Sequence, residues 1–99
     1  MTQPEWIITP LELKKCLDRV TLVDVREPEE HAESRIEGCK LIPLGELSSR
    51  GARELNPEDD IVVYCAHGIR SMRGIQILRE RHGYRSALSL RGGVKAWEP

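Results

Sequence analysis

Ile61-Val62-Val63-Tyr64-Cys65-Ala66-His67-Gly68-Ile69-Arg70-Ser71-Met72-Arg73-Gly74 decides how this chain is read. Its first four residues have strand character, and Cys65 ends them. The chain then turns through Ala66 to Ile69 and leaves through Arg70 and Ser71 into a helical pattern. A cysteine between a buried strand and a helix start faces backbone N–H groups that have no partner of their own. Those donors and the positive end of the helix favour an anion, here the cysteine's own sulfur. Sulfur in such a place is expected to ionise more readily than a free thiol and to be nucleophilic near neutral pH.

The totals bound what surrounds this stretch. Ninety-nine residues suggest a single domain, residues 1–99, since domains are most often about 100–150 residues long. Hydrophobic residues make up 39% and charged residues 31%; with the 8 glycines counted, this is an ordinary globular composition. The net charge of −1 gives no general electrostatic case for nucleic acid or an anionic membrane, so any anion site is local. No apolar run approaches the ~18 residues of a membrane span. The N-terminal Met1 to Pro10 lacks the basic and apolar regions of a signal peptide. Three cysteines without Cys-x-x-Cys spacing, Cys16, Cys39 and Cys65, argue against a disulfide framework or a zinc ribbon. A cytoplasmic location, where a free thiol survives, is expected, and neither a metal nor a cofactor is.

Outward from the central stretch, strands and helices alternate. Trp6 to Ile8 reads as a strand. Thr9, Pro10 and Glu12 spell a helix start with a capping box, and Leu13, Cys16, Leu17 and Val20 give its apolar face. Cys16 is read as a small buried hydrophobe. Thr21 to Val25 is a strand apolar enough to be covered on both faces. Asp24 interrupts it, and a carboxylate there is expected to accept loop N–H groups rather than serve as a general base. Arg26 and Asp24 are supporting candidates near the same rim, with a surface salt bridge the expected role for Arg26. Pro28 begins a short helix, and His31 is read as a surface or capping residue. Cys39 to Ile42 is a third strand, with Cys39 structural and at the end away from the site. Leu44 to Leu55, with Gly51 in its middle, reads as one or two short helices. A helix runs on from Ser71, with Gly83 stopping it. Ser86 to Leu90 is a fifth strand, Arg91-Gly92-Gly93 a second glycine-bearing strand end, and Val94 to Trp97 a last short helix. This alternation predicts an α/β fold: an open, mainly parallel five-stranded sheet with helices on both faces. In such sheets ligands bind beyond the carboxyl ends of the strands, which gathers Asp24 to Arg26, Cys65 to Arg70 and Arg91 to Gly93 at one rim.

These segments, in this order, resemble single-domain rhodaneses, a family of sulfurtransferases. Leu22 to Leu47 is similar to the family's first half, where a strand ending in Asp-Val-Arg leads to a Gly-x-x-x-Ile-Pro turn. Ile61 to Ser71 resembles the active-site strand and loop, and Leu90 to Trp97 the closing segment. The chain departs from the pattern at Ser34-Arg35-Ile36, where the family often has Gly-His-Ile, and at Leu41, where it often has Asn. The resemblance implies the rhodanese-like fold and gives catalysis to Cys65. Ala66, His67, Gly68, Ile69 and Arg70 become the loop whose amides ring the sulfur. Ser71 is read as a hydroxyl at the helix start, in reach of that sulfur.

The implied reaction moves a sulfane sulfur from a donor such as thiosulfate to cyanide, a thiol or a partner protein through a Cys65 persulfide. Gly68 lets the backbone approach closely, and Arg70 is expected to bind a donor's sulfonate, with a salt bridge to Asp24 or Glu27 as its other reading. His67 is expected at the rim, tuning charge or acceptor choice. Three alternatives remain: a sulfur-relay carrier, a non-catalytic rhodanese-like binding module, and a cysteine-dependent phosphatase. The last is disfavoured by comparison with protein tyrosine phosphatases, which place one residue more between cysteine and arginine and so form a wider cradle.

Overall fold

A computed structural model describes residues 6–97; residues 1–5 and 98–99 lie outside the described residues. The elements run β1 (Ile7–Ile8), α1 (Pro10–Cys16), a 3-10 turn (Leu17–Arg19), β2 (Thr21–Asp24), α2 (Pro28–Glu33), β3 (Lys40–Leu41), α3 (Leu44–Glu54), β4 (Ile61–Tyr64), α4 (Ile69–Arg81), β5 (Leu88–Leu90) and α5 (Gly93–Trp97). The five strands form one sheet in the order β1-β5-β4-β2-β3, and every pairing is parallel. Strand β4 is central, with Val63 in register with Val23 on one side and Ser89 on the other. No helix among the described residues is long and apolar enough to cross a membrane.

Strand alternation sorts the core into two layers. Val23, Val25, Ile61, Val63 and Cys65 pack with Leu47, Ile75 and Leu78 of α3 and α4. Leu22, Val62, Tyr64 and Leu90 pack on the other side with Leu13 of α1 and Val94 of α5. Strands buried on both faces explain why β2 and β4 read as near-continuous apolar runs. Leu78 is fully buried between α4 and the sheet, so truncating it to alanine is worth about 2–5 kcal/mol.

Several boundaries are settled or moved for physical reasons. Of the one or two helices expected over Leu44 to Leu55 there is one, Leu44–Glu54, which Gly51 does not break. Gly51 lets α4 come close, because a Cβ there would meet Leu78 Cδ2 at 3.3 Å. Helix α4 starts at Ile69, two residues before Ser71, since Gly68 with φ 104° makes the turn abrupt. It ends as expected at Gly83, φ 71°, which lets the Tyr84 N–H reach the Leu78 carbonyl at 3.1 Å. The third and fifth strands are shorter than the apolar runs that signalled them.

Candidate active site

Cys65 follows the last residue of β4 and points into the α3/α4 layer, beneath its own loop, and only 1% of its surface is exposed. Its sulfur is met by main-chain donors: the Gly68 N–H at 3.0 Å and the Ser71 N–H at 3.3 Å. The Ser71 hydroxyl lies 3.5 Å from the same sulfur. Among the described residues the amide contacts on Sγ are therefore those of Gly68 and Ser71, rather than a full ring from Ala66 to Arg70. The difference comes from the early start of α4: the Met72 N–H already donates within the helix to the Gly68 carbonyl at 3.4 Å, and the first-turn amide of Ser71 is left over to face the sulfur.

Two features hold the loop in this shape. Gly68 needs its positive φ, a region costly for residues with a Cβ. The second feature is the end of the sheet. After β5, Gly92 and Gly93 turn the chain so that the Val94 N–H donates to the Cys65 carbonyl at 2.8 Å and the Lys95 N–H to the Ala66 carbonyl at 3.1 Å. With those carbonyls drawn toward α5, the amides on the far side of the loop turn toward Sγ. Any side chain at Gly93 would run into the Cys65 and Ala66 carbonyl oxygens. Sequence reading placed Arg91 to Gly93 at the rim but missed this grip.

It also missed Ser89. This buried hydroxyl lies 2.7 Å from Ser71 Oγ. A chain Ser89–Ser71–Cys65 thus runs across the floor of the site, and with sulfur ionised each hydroxyl can donate toward it. The available signal was a polar residue inside the buried run Ala87 to Leu90. Ser71 itself sits in the first turn of α4 and is fully buried, more than the helix-start hydroxyl expected.

The rim is open. A cleft of about 630 Å³ borders the loop, lined by His67, Gly68, Ile69, Met72, Ser89 and Arg91 among others. His67 is exposed, in keeping with a rim residue, and Ile69 is 82% exposed. Arg70 does not reach Asp24 or Glu27. Its two terminal nitrogens bind the two carboxylate oxygens of Glu30 on α2, at 2.8 and 2.9 Å. Hydrogen bonds from Arg70 and the charge beside it bring Glu30's pKa down to about 2, and Glu30 and the Cys65 charge raise that of Arg70.

Asp24 and Arg26 lie elsewhere, on the α1/α5 side of the sheet with Tyr64. Asp24 is fully buried and accepts the Arg26 N–H at 2.9 Å, the loop contact its position suggested. Arg26 is not a surface residue: it is 3% exposed and its guanidinium grips the Asp24 carboxylate at 2.9–3.2 Å. The Tyr64 hydroxyl and His31 Nδ1 approach Asp24 Oδ2 at 3.2 and 3.0 Å. Burial works against the carboxylate's charge, but the bonds from Arg26 outweigh it and hold Asp24 below its ordinary range. Cys39 stands just before β3, at the strand start as expected. Its sulfur meets the Asp24 group, 3.3 Å from the Tyr64 hydroxyl and 3.9 Å from His31 Nδ1. Burial pushes its thiol up. Asp24, His31 and Cys39 have ligand atoms within 4.8 Å of one another, but the oxygens of Asp24 already carry Arg26 and Tyr64. A divalent cation would sit against a guanidinium, so the donor set does not fit a metal.

Comparison with known proteins agrees with this architecture. The rhodanese-like domain model matches residues 5–99. The chain is 37% identical over 78 residues to a protein of Allochromatium vinosum named sulfurtransferase, covering 79% of this chain and 71% of that one. It is 36% identical over 94 residues to the probable adenylyltransferase/sulfurtransferase MoeZ of Mycobacterium tuberculosis; this covers 91% of the chain but only 24% of that longer relative. Among solved structures, the human single-domain sulfurtransferase TSTD1 superposes with a TM-score of 0.81 at 29% identity, covering 93% of this chain and 94% of that one. With its all-parallel five-stranded sheet and its cysteine loop at the end of the central strand, this chain belongs to the rhodanese-like domain family.

Proposed function

We propose that the chain moves a sulfane sulfur from a donor to a thiophilic acceptor through a persulfide on Cys65. The observation that supports this is the pair of amides on Sγ, Gly68 and Ser71, on a cysteine next to an open cleft. In the first half-reaction the Cys65 thiolate attacks the outer sulfur of a donor such as thiosulfate. The new S–S bond forms as the donor's S–S bond breaks, and sulfite leaves with the electron pair. In the second, cyanide, a thiol or a partner protein attacks the terminal sulfur and the Cys65 thiolate departs. No redox partner or cofactor is needed. The amides and the serine chain stabilise negative charge before and after each step without moving, the condition under which fixed dipoles contribute most. Among the described residues no carboxylate hydrogen-bonds Sγ, which suits a preformed thiolate rather than a nucleophile that needs a base.

A sulfur-relay reading, in which the acceptor is a protein, is favoured by one feature: Ile69, a large apolar side chain, stands exposed at the mouth of the loop. The test is turnover of thiosulfate with cyanide, with p-nitrophenyl phosphate run alongside. Mass spectrometry after thiosulfate treatment is expected to show one added sulfur atom on the peptide carrying Cys65. Phosphatase turnover without sulfur transfer would overturn the proposal.

A further inference from the structure

We propose that Glu30 is an internal competitor for Arg70 and thereby sets the preference of the Cys65 site between anionic and uncharged donors. This deepens the sulfur-transfer reading and rests on it for the identity of the donor.

A carboxylate presents two oxygens in a plane, and a guanidinium matches that shape with two N–H groups. Glu30 fills this role for Arg70 with both oxygens, at 2.8 and 2.9 Å. Two oxygens of a sulfonate present nearly the same pair of acceptors. Glu30 is itself held in place, since its Oε1 also accepts the Glu27 N–H at 3.0 Å in the first turn of α2. The two side chains are 36% and 35% exposed, so an ion arriving from water reaches the pair without opening the core. Arg70 stands in the first turn of α4, five positions beyond Cys65, where its charge is felt at the sulfur.

Two consequences follow from this arrangement. A donor that leaves as an anion such as sulfite must take Arg70 from Glu30, and meets the Glu30 charge as it does so. A donor with an uncharged leaving group meets neither obstacle. Glu30 thus acts as a positioning residue: it touches no reacting atom and works through the guanidinium. Its carboxylate remains ionised through the neutral range, so the competition is constant there and is not a pH switch.

The test uses Glu30→Gln, which keeps the shape and the acceptor for the Glu27 N–H while removing the charge. Glu29→Gln, at an exposed neighbour on the same helix, makes the same change in net charge without touching Arg70. The first readout is the rate of Cys65 alkylation by anionic iodoacetate and by neutral iodoacetamide, followed on the Cys65 peptide. The second is kcat and KM with thiosulfate. In Glu30→Gln the iodoacetate-to-iodoacetamide ratio is expected to rise about three- to tenfold, the range between an exposed ion pair and a stronger charge-assisted bond. KM for thiosulfate is expected to fall by a similar factor, with kcat changing less than about twofold; Glu29→Gln should leave the ratio where it is. An unchanged ratio in Glu30→Gln, or an equal fall in both rates, would show that the pair is only a splint between α2 and the loop and would overturn the proposal. A shifted ratio with no thiosulfate turnover in any variant would keep the role of Glu30 and reject the sulfur-donor reading.

Discussion

Cys65 and Cys39 lie on opposite faces of the sheet, and each is hydrogen-bonded, yet the groups around them differ in kind. Around Cys65 the donors are main-chain amides, and the nearby charge is the cation of Arg70. Around Cys39 the partner is a phenol, and the nearby charge includes the Asp24 carboxylate, which together with burial disfavours a thiolate. Amides are fixed by the backbone and favour negative charge. Side-chain donors here are already committed to Asp24. The contrast is one of donors: backbone amides face the sulfur of Cys65, and a phenol shared with Asp24 faces that of Cys39.

The largest expected effect tests that contrast directly. Cys65→Ala should lower sulfur loading by thiosulfate below about a thousandth of wild type, in line with removal of a nucleophile, while Cys39→Ser should stay within about twofold; mass spectrometry of both peptides checks this. Next comes the other face. Asp24→Ala leaves the Arg26 guanidinium buried without its carboxylate and should cost about 3–5 kcal/mol in urea unfolding, whereas the fraction still folded should load sulfur at the normal rate. A third variant, Gly93→Ala, drives a methyl group into the Cys65 and Ala66 carbonyls. It should cost about 2–3 kcal/mol and slow alkylation of Cys65 more than that of Cys39. Ser71→Ala removes a hydroxyl from the sulfur and strands the one on Ser89, so loading should slow by about tenfold, the worth of one hydrogen bond to a charged group; Ser89→Ala should slow it less.

The smallest effect is in acid. Glu30 has a folded pKa of about 2 against an ordinary 4.5, and that of Asp24 lies below its ordinary 3.8. A carboxylate depressed in this way contributes its full stability above the unfolded value. It loses that contribution as pH falls through the folded value. The stability difference between wild type and Glu30→Gln should therefore be constant above about pH 5 and shrink toward zero near pH 2. A pH series of thermal unfolding checks it.

The parts of the molecule that were legible beforehand are those whose signals are local. The apolar run Ile61 to Tyr64, the glycine at 68 and the helical spacing after it lie within one stretch, and the order of elements carried the parallel sheet. What was not legible depends on pairings across the chain. Arg70 finds Glu30 forty positions away, and spacing alone offered Asp24 and Glu27 as equal candidates. Cys39 stands at the start of its strand, as its position in the sequence suggests, but no local signal says that its sulfur meets the Tyr64 hydroxyl 25 positions away. Arg26 looked like a surface cation because no local pattern says that a guanidinium will lie over the Tyr64 ring, 5.5 Å from its centroid. Ser89 and Gly93 belong to the site only through β5 and α5, whose contacts with the loop no short window of sequence contains.

The grip of Val94 and Lys95 on the carbonyls of Cys65 and Ala66 has a consequence for biosynthesis. A growing chain that has reached α4 already contains Cys65 but not the residues whose amides grip the loop around it. Until position 95 has been added and docked, the carbonyls of Cys65 and Ala66 lack these two main-chain partners. The shape of the loop is therefore set late, and in a ribosome-bound intermediate stopped before Gly93 Cys65 should alkylate like any unstructured cysteine.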